Sequence, residues 1–186
     1  MRMNASFMSL AARIAAAAAL LAGSALAADP SCKPLADAMT KVLTVPAHVY
    51  STDIAEYTGG KPRNSEIIYL NDKTFVLVNG KWRTSPMTRD TVARMQKDAK
   101  ANPDTHIISS CRIVRDEAVN GEAATVFSEH TETPDLKSDS QVWISKSRGL
   151  PLKLELDSEV GGGAAGKSHK TSRFEYTNVQ APSAVR

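Results

Sequence analysis

Apolar residues in this chain recur mostly at every second position, and the plainest case is the stretch from Gln141 to Asp157. Leu150, Leu152, Leu154 and Leu156 alternate with Pro151, Lys153, Glu155 and Asp157, and a period of two belongs to a strand with one dry face and one wet face. Gln141 to Ser145 is a short β-rich run, and Lys146-Ser147-Arg148-Gly149 between the two is a turn with a glycine free to take positive φ. The pattern predicts an antiparallel hairpin with one apolar face.

The same reading extends in both directions. Cys32 to Leu43 carries Leu35, Met39 and Val42 on one stripe, with Ala38 and Leu43 beside it and Pro34 in its first turn, which predicts a helix ended by Pro46. A mixed run from His48 to Tyr57 suits a strand before the Gly59-Gly60-Lys61-Pro62 turn. Ser65–Leu70 and Thr74–Val78 read as strands joined by Asn71-Asp72-Lys73, and Asn79-Gly80 turns the chain into a return strand opening at Lys81-Trp82-Arg83. Pro86 breaks that strand, and Thr88 to Ala101 reads as a second helix stopped by Asn102-Pro103. Beyond it come strands His106–Asp116 and Glu122–Thr131 about Asn120-Gly121, and a polar loop Thr133–Asp139. The opening hairpin follows, then a glycine-alanine loop Gly161–Gly166, and a last strand Ser172–Asn178 with Phe174 and Tyr176 on one face. Seven to nine antiparallel strands and two helices predict an α+β fold. Its sheet is a curved antiparallel half-barrel, with one N-terminal and one inserted helix packed on its concave face.

Composition alters this picture at the N-terminus. Arg2 and Arg13, an apolar stretch Ile14–Ala22 too short to span a bilayer, and Ala25-Leu26-Ala27 predict a cleaved signal peptide over residues 1–27. Residues 28–186 then form a single domain exported to a Gram-negative type periplasm, with no second apolar run of membrane length. The net charge of +3 falls to +1 without Arg2 and Arg13, which gives no bulk field for nucleic acid. In an oxidising compartment the two cysteines, Cys32 and Cys111, are expected to form a structural disulfide; neither a CxxC spacing nor a nearby histidine favours redox or metal chemistry.

Candidate chemistry is sparse. Gly161-Gly162-Gly163-Ala164-Ala165-Gly166-Lys167-Ser168 matches the spelling of a phosphate-binding loop, but the residues after it read as a strand, whereas the motif needs a helix N-terminus there. His48, His106, His130 and His169 lie far apart without metal-ligand spacing, and no serine sits in a nucleophile motif. The sequence therefore predicts no catalytic residue, no metal and no cofactor. Large apolar residues serve first as core; the functional alternative is that two short helices cannot fill so large a curled sheet, which leaves an apolar cavity. Its candidate lining is Phe75, Leu77, Trp82, Trp143, Leu150, Leu152, Leu154, Phe174 and Tyr176, with Met87 and Met95 as an adaptable lid.

The order of these elements, with Val142-Trp143-Ile144-Ser145 followed by Gly149-Leu150-Pro151 and the basic Lys153, resembles the periplasmic lipoprotein-carrier superfamily typified by LolA and LolB. In that family an aspartate usually stands where this chain has Ser145. The resemblance implies an open half-barrel, capped by helices, that holds the acyl chains of a lipid or lipoprotein. The same scaffold also serves sensors, so an envelope protein is the alternative partner.

Overall fold

The computed structural model describes residues 30–101, 108–160 and 166–185. The expected signal peptide (1–27), the helix stop at Asn102-Pro103 and most of the glycine-alanine loop lie outside them. Nine strands form one antiparallel sheet: β1 (Ala47–Ala55), β2 (Arg63–Leu70), β3 (Lys73–Val78), β4 (Lys81–Thr84), β5 (Ile108–Val119), β6 (Glu122–Glu132), β7 (Leu136–Ser145), β8 (Pro151–Val160) and β9 (Gly166–Glu175). Their order is β4-β3-β2-β1-β9-β8-β7-β6-β5. The chain builds outward from β1 to one edge, crosses to the opposite edge with its second helix, and returns strand by strand until β9 closes on β1.

Local turn chemistry sets most of these pairings. Asn79-Gly80 and Asn120-Gly121 take φ values of 51° and 72°, and 51° and 83°, the two successive positive values that a tight hairpin needs. Helix α1 (Lys33–Val42) follows a short 3-10 turn over Pro30–Cys32, with Pro34 in its first turn as expected. Leu35, Ala38, Met39 and Val42 on α1 are buried against Val49, Tyr69, Phe127, Val142, Ile144, Leu154 and Phe174 of the sheet. Helix α2 (Arg89–Ala101) adds Val92 to the same core, and an Arg89 guanidinium nitrogen donates to the Val45 carbonyl. Both helices thus lie on the concave face, in the expected fold class. Cys32 and Cys111 are disulfide-bonded across 79 residues and fasten the start of α1 to β5.

Three elements differ from the sequence reading. Strand β7 begins at Leu136, because Thr133 closes a tight turn through its amide to the Leu136 carbonyl at 2.7 Å, so much of the expected polar loop is strand. Strand β9 begins at Gly166, six residues before the expected start, and the polar run Lys167–Thr171 pairs with both β8 and β1. In the phosphate-loop spelling, Lys167 and Ser168 therefore lie on a strand. Strand β1 stops at Ala55, where a 3-10 turn over Glu56–Thr58 takes over.

Candidate ligand-binding groove

Two β-bulges shape the region around α1. On β8, Trp143 faces Lys153 while Ile144 faces Pro151, so Leu152 is an extra residue. On β5, Ile113 faces Phe127 while Arg115 faces Val126, so Val114 is extra. A bulge breaks side-chain alternation and increases local twist. Leu154 consequently stays in the helix-facing core, while Leu152 packs with Ala124, Val126 and Trp143 in a separate cluster on the outer face.

The candidate lining residues therefore divide between the two faces of the sheet. Trp143 alternates with Val142 and Ile144, both of which face α1, so its ring turns outward; it is 2% exposed beneath Lys153 and Arg115, whose charged groups lie 4.4 and 5.8 Å from the ring centroid. Among the described residues its indole Nε1–H donates to no acceptor in ordinary hydrogen-bond geometry, yet it lies near enough to Glu117 to help Arg115 hold that carboxyl below its usual range. Phe75 pairs with Ile68 and Leu77 with Trp82, and since Ile67 and Tyr69 face the core, these residues also lie on the outer face. Of the candidate lining, Leu154 and Phe174 share the helix-side core, with Met87 packed against it. Tyr176 touches both clusters and donates its hydroxyl to the Pro151 carbonyl at 2.5 Å. Leu150 is buried beside the β7–β8 turn, and Met95 is 48% exposed on α2.

The concave side opens elsewhere. Between α1 and the β5–β6 margin runs a groove of about 450 Å³, lined by Pro34, Ala38, Ile113, Phe127 and Ile144 with Thr125 and Ser145. Ile113, although it follows Cys111 on the inward face of an edge strand, is 67% exposed. Among the described residues no neighbouring strand covers β5, whereas the short opposite edge, β4, is met by a bridge from Val185 to Trp82.

The groove rim is charged. Lys146 pairs with Asp116 at 2.7 Å, and hydrogen bonds from Lys146 and Thr125 hold the Asp116 carboxyl below its ordinary range. Lys41, at the end of α1, donates to the Arg148 carbonyl at 2.6 Å and so ties the helix to the β7–β8 turn. That turn is braced from within: Ser145 Oγ donates to Glu122 at 2.5 Å and accepts from the Arg148 amide at 3.0 Å, while Arg148 grips Glu122 with two nitrogens at 2.8 and 2.5 Å. Arg148 is the main cause of the lowered Glu122 pKa. Ser145 thus serves as a turn brace in the position where the resembled family carries aspartate. Ile113, Phe127, Ala38 and Lys41 were absent from the sequence-derived lining, and a large apolar residue, Ile113, on the face shared with Cys111 was the one signal that could have pointed to them.

No protein-family model matches this chain, and no curated protein matches it in sequence. Among solved structures, the chain is similar to MucB, crystallised in complex with MucA(peri), with a TM-score of 0.44 and 15% identity over 82% of this chain and 60% of that one. It is also similar to LprF from Mycobacterium bovis, with a TM-score of 0.39 and 9% identity over 86% of this chain and 97% of that one. This chain thus spans 60% of the length of the MucB chain it matches.

Proposed function

We propose that this chain is an exported binding protein without catalytic chemistry, which takes the acyl chain of a lipid or lipoprotein into the groove beside α1. The observation that carries the reading is the groove itself: about 450 Å³ of largely apolar space opened by Ile113, Phe127, Ala38 and Ile144. That volume falls within the roughly 300–1,000 Å³ of small-molecule sites. Lys41 stands at its rim with a carbonyl, not a carboxylate, as its hydrogen-bond acceptor, in reach of a polar head group. The Cys32–Cys111 disulfide supports an oxidising compartment such as the periplasm. Among the described residues no helix is long and apolar enough to cross a membrane.

Native mass spectrometry of protein taken from its periplasm, with titration of a fluorescent fatty acid, tests the proposal. Ile113→Glu places a charge in the groove at an exposed position, so stability should move by less than about 0.5 kcal/mol while acyl affinity falls at least tenfold. Protein that carries no lipid, and fatty-acid binding untouched by Ile113→Glu, would sink the reading. A second reading, an interaction module for an envelope protein, is favoured by the uncovered β5 edge with exposed Ile108, Ile113 and Val114. A single stoichiometric protein recovered from periplasm, without lipid, would support it instead.

A further inference from the structure

The groove beside α1 changes character along its length. Helix α1 starts at the Cys32–Cys111 link and ends against the β7–β8 turn, where Lys41 donates to the Arg148 carbonyl at 2.6 Å. Pro34, Ala38 and Lys41 line the groove from one turn of α1 to the next, so it follows the helix for about 10 Å at ~1.5 Å per residue. At the disulfide end the sheet offers Ile113 and its cross-strand partner Phe127, the next inward pair after Cys111 and Glu129. At the turn end it offers Ser145, Lys146 and Gly149. One end of the groove is therefore apolar and the other polar.

The charges lining the groove decide which head group the polar end suits. Asp37 is held by Lys33 at 2.5 Å, one turn back on α1. Lys146 is held by Asp116 at 2.7 Å, and Thr125 donates to the same carboxyl at 3.0 Å. Lys41 makes no ion pair among the described residues, and its hydrogen bond goes to a neutral carbonyl. An ammonium has three N–H donors, so a tie to the turn leaves two for a ligand. Bonds from such donors to an oxyanion are roughly twice as strong as neutral ones. The carbonyl end of α1 works against an anion, but the Thr40 and Lys41 carbonyls are already capped by the Leu43 and Thr44 amides at 3.0 and 2.9 Å.

We infer that the groove takes an acyl chain ending in an anion, a carboxylate or a phosphate, with that head at Lys41 and the methyl end toward the disulfide. The inference rests on the acyl reading of the groove and adds a head-group class and a direction to it. A neutral alcohol or glyceryl head forgoes the charge-assisted bonds, and a quaternary ammonium head meets a like charge.

Calorimetric titration of the full, oxidised protein with monomeric dodecanoate, dodecyl phosphate, dodecanol and dodecyltrimethylammonium tests this inference. At least one anion should bind roughly fivefold tighter than the alcohol, the upper end for an exposed ion pair, and the cation more weakly than the alcohol. Tighter binding of the phosphate supports a phosphorylated lipid, and tighter binding of the carboxylate a fatty acid. Lys41→Gln should bring the anions to the affinity of the alcohol without moving the alcohol, and Lys41→Arg should keep the preference. Dodecanoate with a nitroxide at its methyl end should broaden the Ile113 methyl signals of the wild type more than the Gly149 amide. Equal affinity of the wild type for all four probes, an anion preference unchanged in folded Lys41→Gln, or the reverse order of broadening would overturn the inference. If the four bind equally and Ile113→Glu abolishes all of that binding, the acyl groove itself still stands. A wild type that binds none of the four removes the groove and the inference together.

Discussion

Removal of the Cys32–Cys111 bond is the sharpest test of how α1 is held. The two cysteines are 79 residues apart, and the chain-entropy relation for a loop of that size gives about 4.5 kcal/mol at 25 °C. That is a large share of the roughly 5–15 kcal/mol by which domains are stable. Cys32→Ala/Cys111→Ala avoids burying new hydroxyls at positions that are 6% and 8% exposed. Guanidinium unfolding should show a loss near 4 kcal/mol, and thermal unfolding a fall of roughly 9–18 °C for a chain of this size. Because the effect acts on the unfolded chain, the denaturant slope should steepen as that chain expands. A loss under about 1 kcal/mol with an unchanged slope would refute the reasoning. Leu35→Ala then separates tether from packing. Leu35 is fully buried, so its truncation should cost about 2–5 kcal/mol in both backgrounds if packing alone docks α1, and little in the cysteine-free background if the bond is what docks it.

Two of the shifted carboxyls on β6, Glu122 and Glu129, should behave oppositely with pH. Glu122 has its pKa lowered by Arg148, so its contribution is full above about 4.5, the ordinary value, and is lost as pH falls below it; Arg148→Ala should remove roughly 1 kcal/mol at neutral pH and flatten the acid limb of urea stability. Glu129 has its pKa raised by burial, so the folded state holds a proton that the unfolded chain releases, and stability declines as pH rises above about 4.5. Glu129→Gln should abolish that decline, and equal pH slopes for variant and wild type in urea would contradict it. The groove prediction is read the same way: Ile113→Glu should leave the unfolding midpoint in place and remove acyl binding, and a coupled loss of both would point to misfolding instead.

Local signals carried the fold a long way. Asn79-Gly80 and Asn120-Gly121 name their hairpins because few residue pairs tolerate two successive positive φ values, and the stripe of Leu35, Met39 and Val42 locates α1 because no other register buries it. Faces were another matter. Phe75, Leu77 and Trp82 alternate as cleanly as any core strand, but periodicity says only that two faces differ, and the position of α1, set from far away in sequence, decides which one is inner. Strand β9 was hidden for the opposite reason. Lys167 to Thr171 has no apolar alternation to detect, since its inward positions hold Ser168 and Lys170, and its place is secured by ladders on both sides.

The bulges explain why the opening lies where it does. Both register shifts fall beside the same outward row, in which Arg115, Val126, Trp143 and Lys153 are cross-strand partners. On β8 the extra residue, Leu152, turns outward to pack beside the Trp143 ring, and Pro151 takes the inward place opposite Ile144. On β5 the extra residue lies at an edge that no further strand among the described residues restrains, and increased twist there carries the edge away from the helix. Cys111, three residues before Val114, holds the same strand to the start of α1. The edge is therefore pinned at one point and bent just beyond it, and Ile113, between the pin and the bend, is the inward-facing residue that α1 leaves uncovered. Groove, disulfide and bulge are in this sense one device, and the apolar space beside α1 follows from strand register more than from any shortage of side chains to fill it.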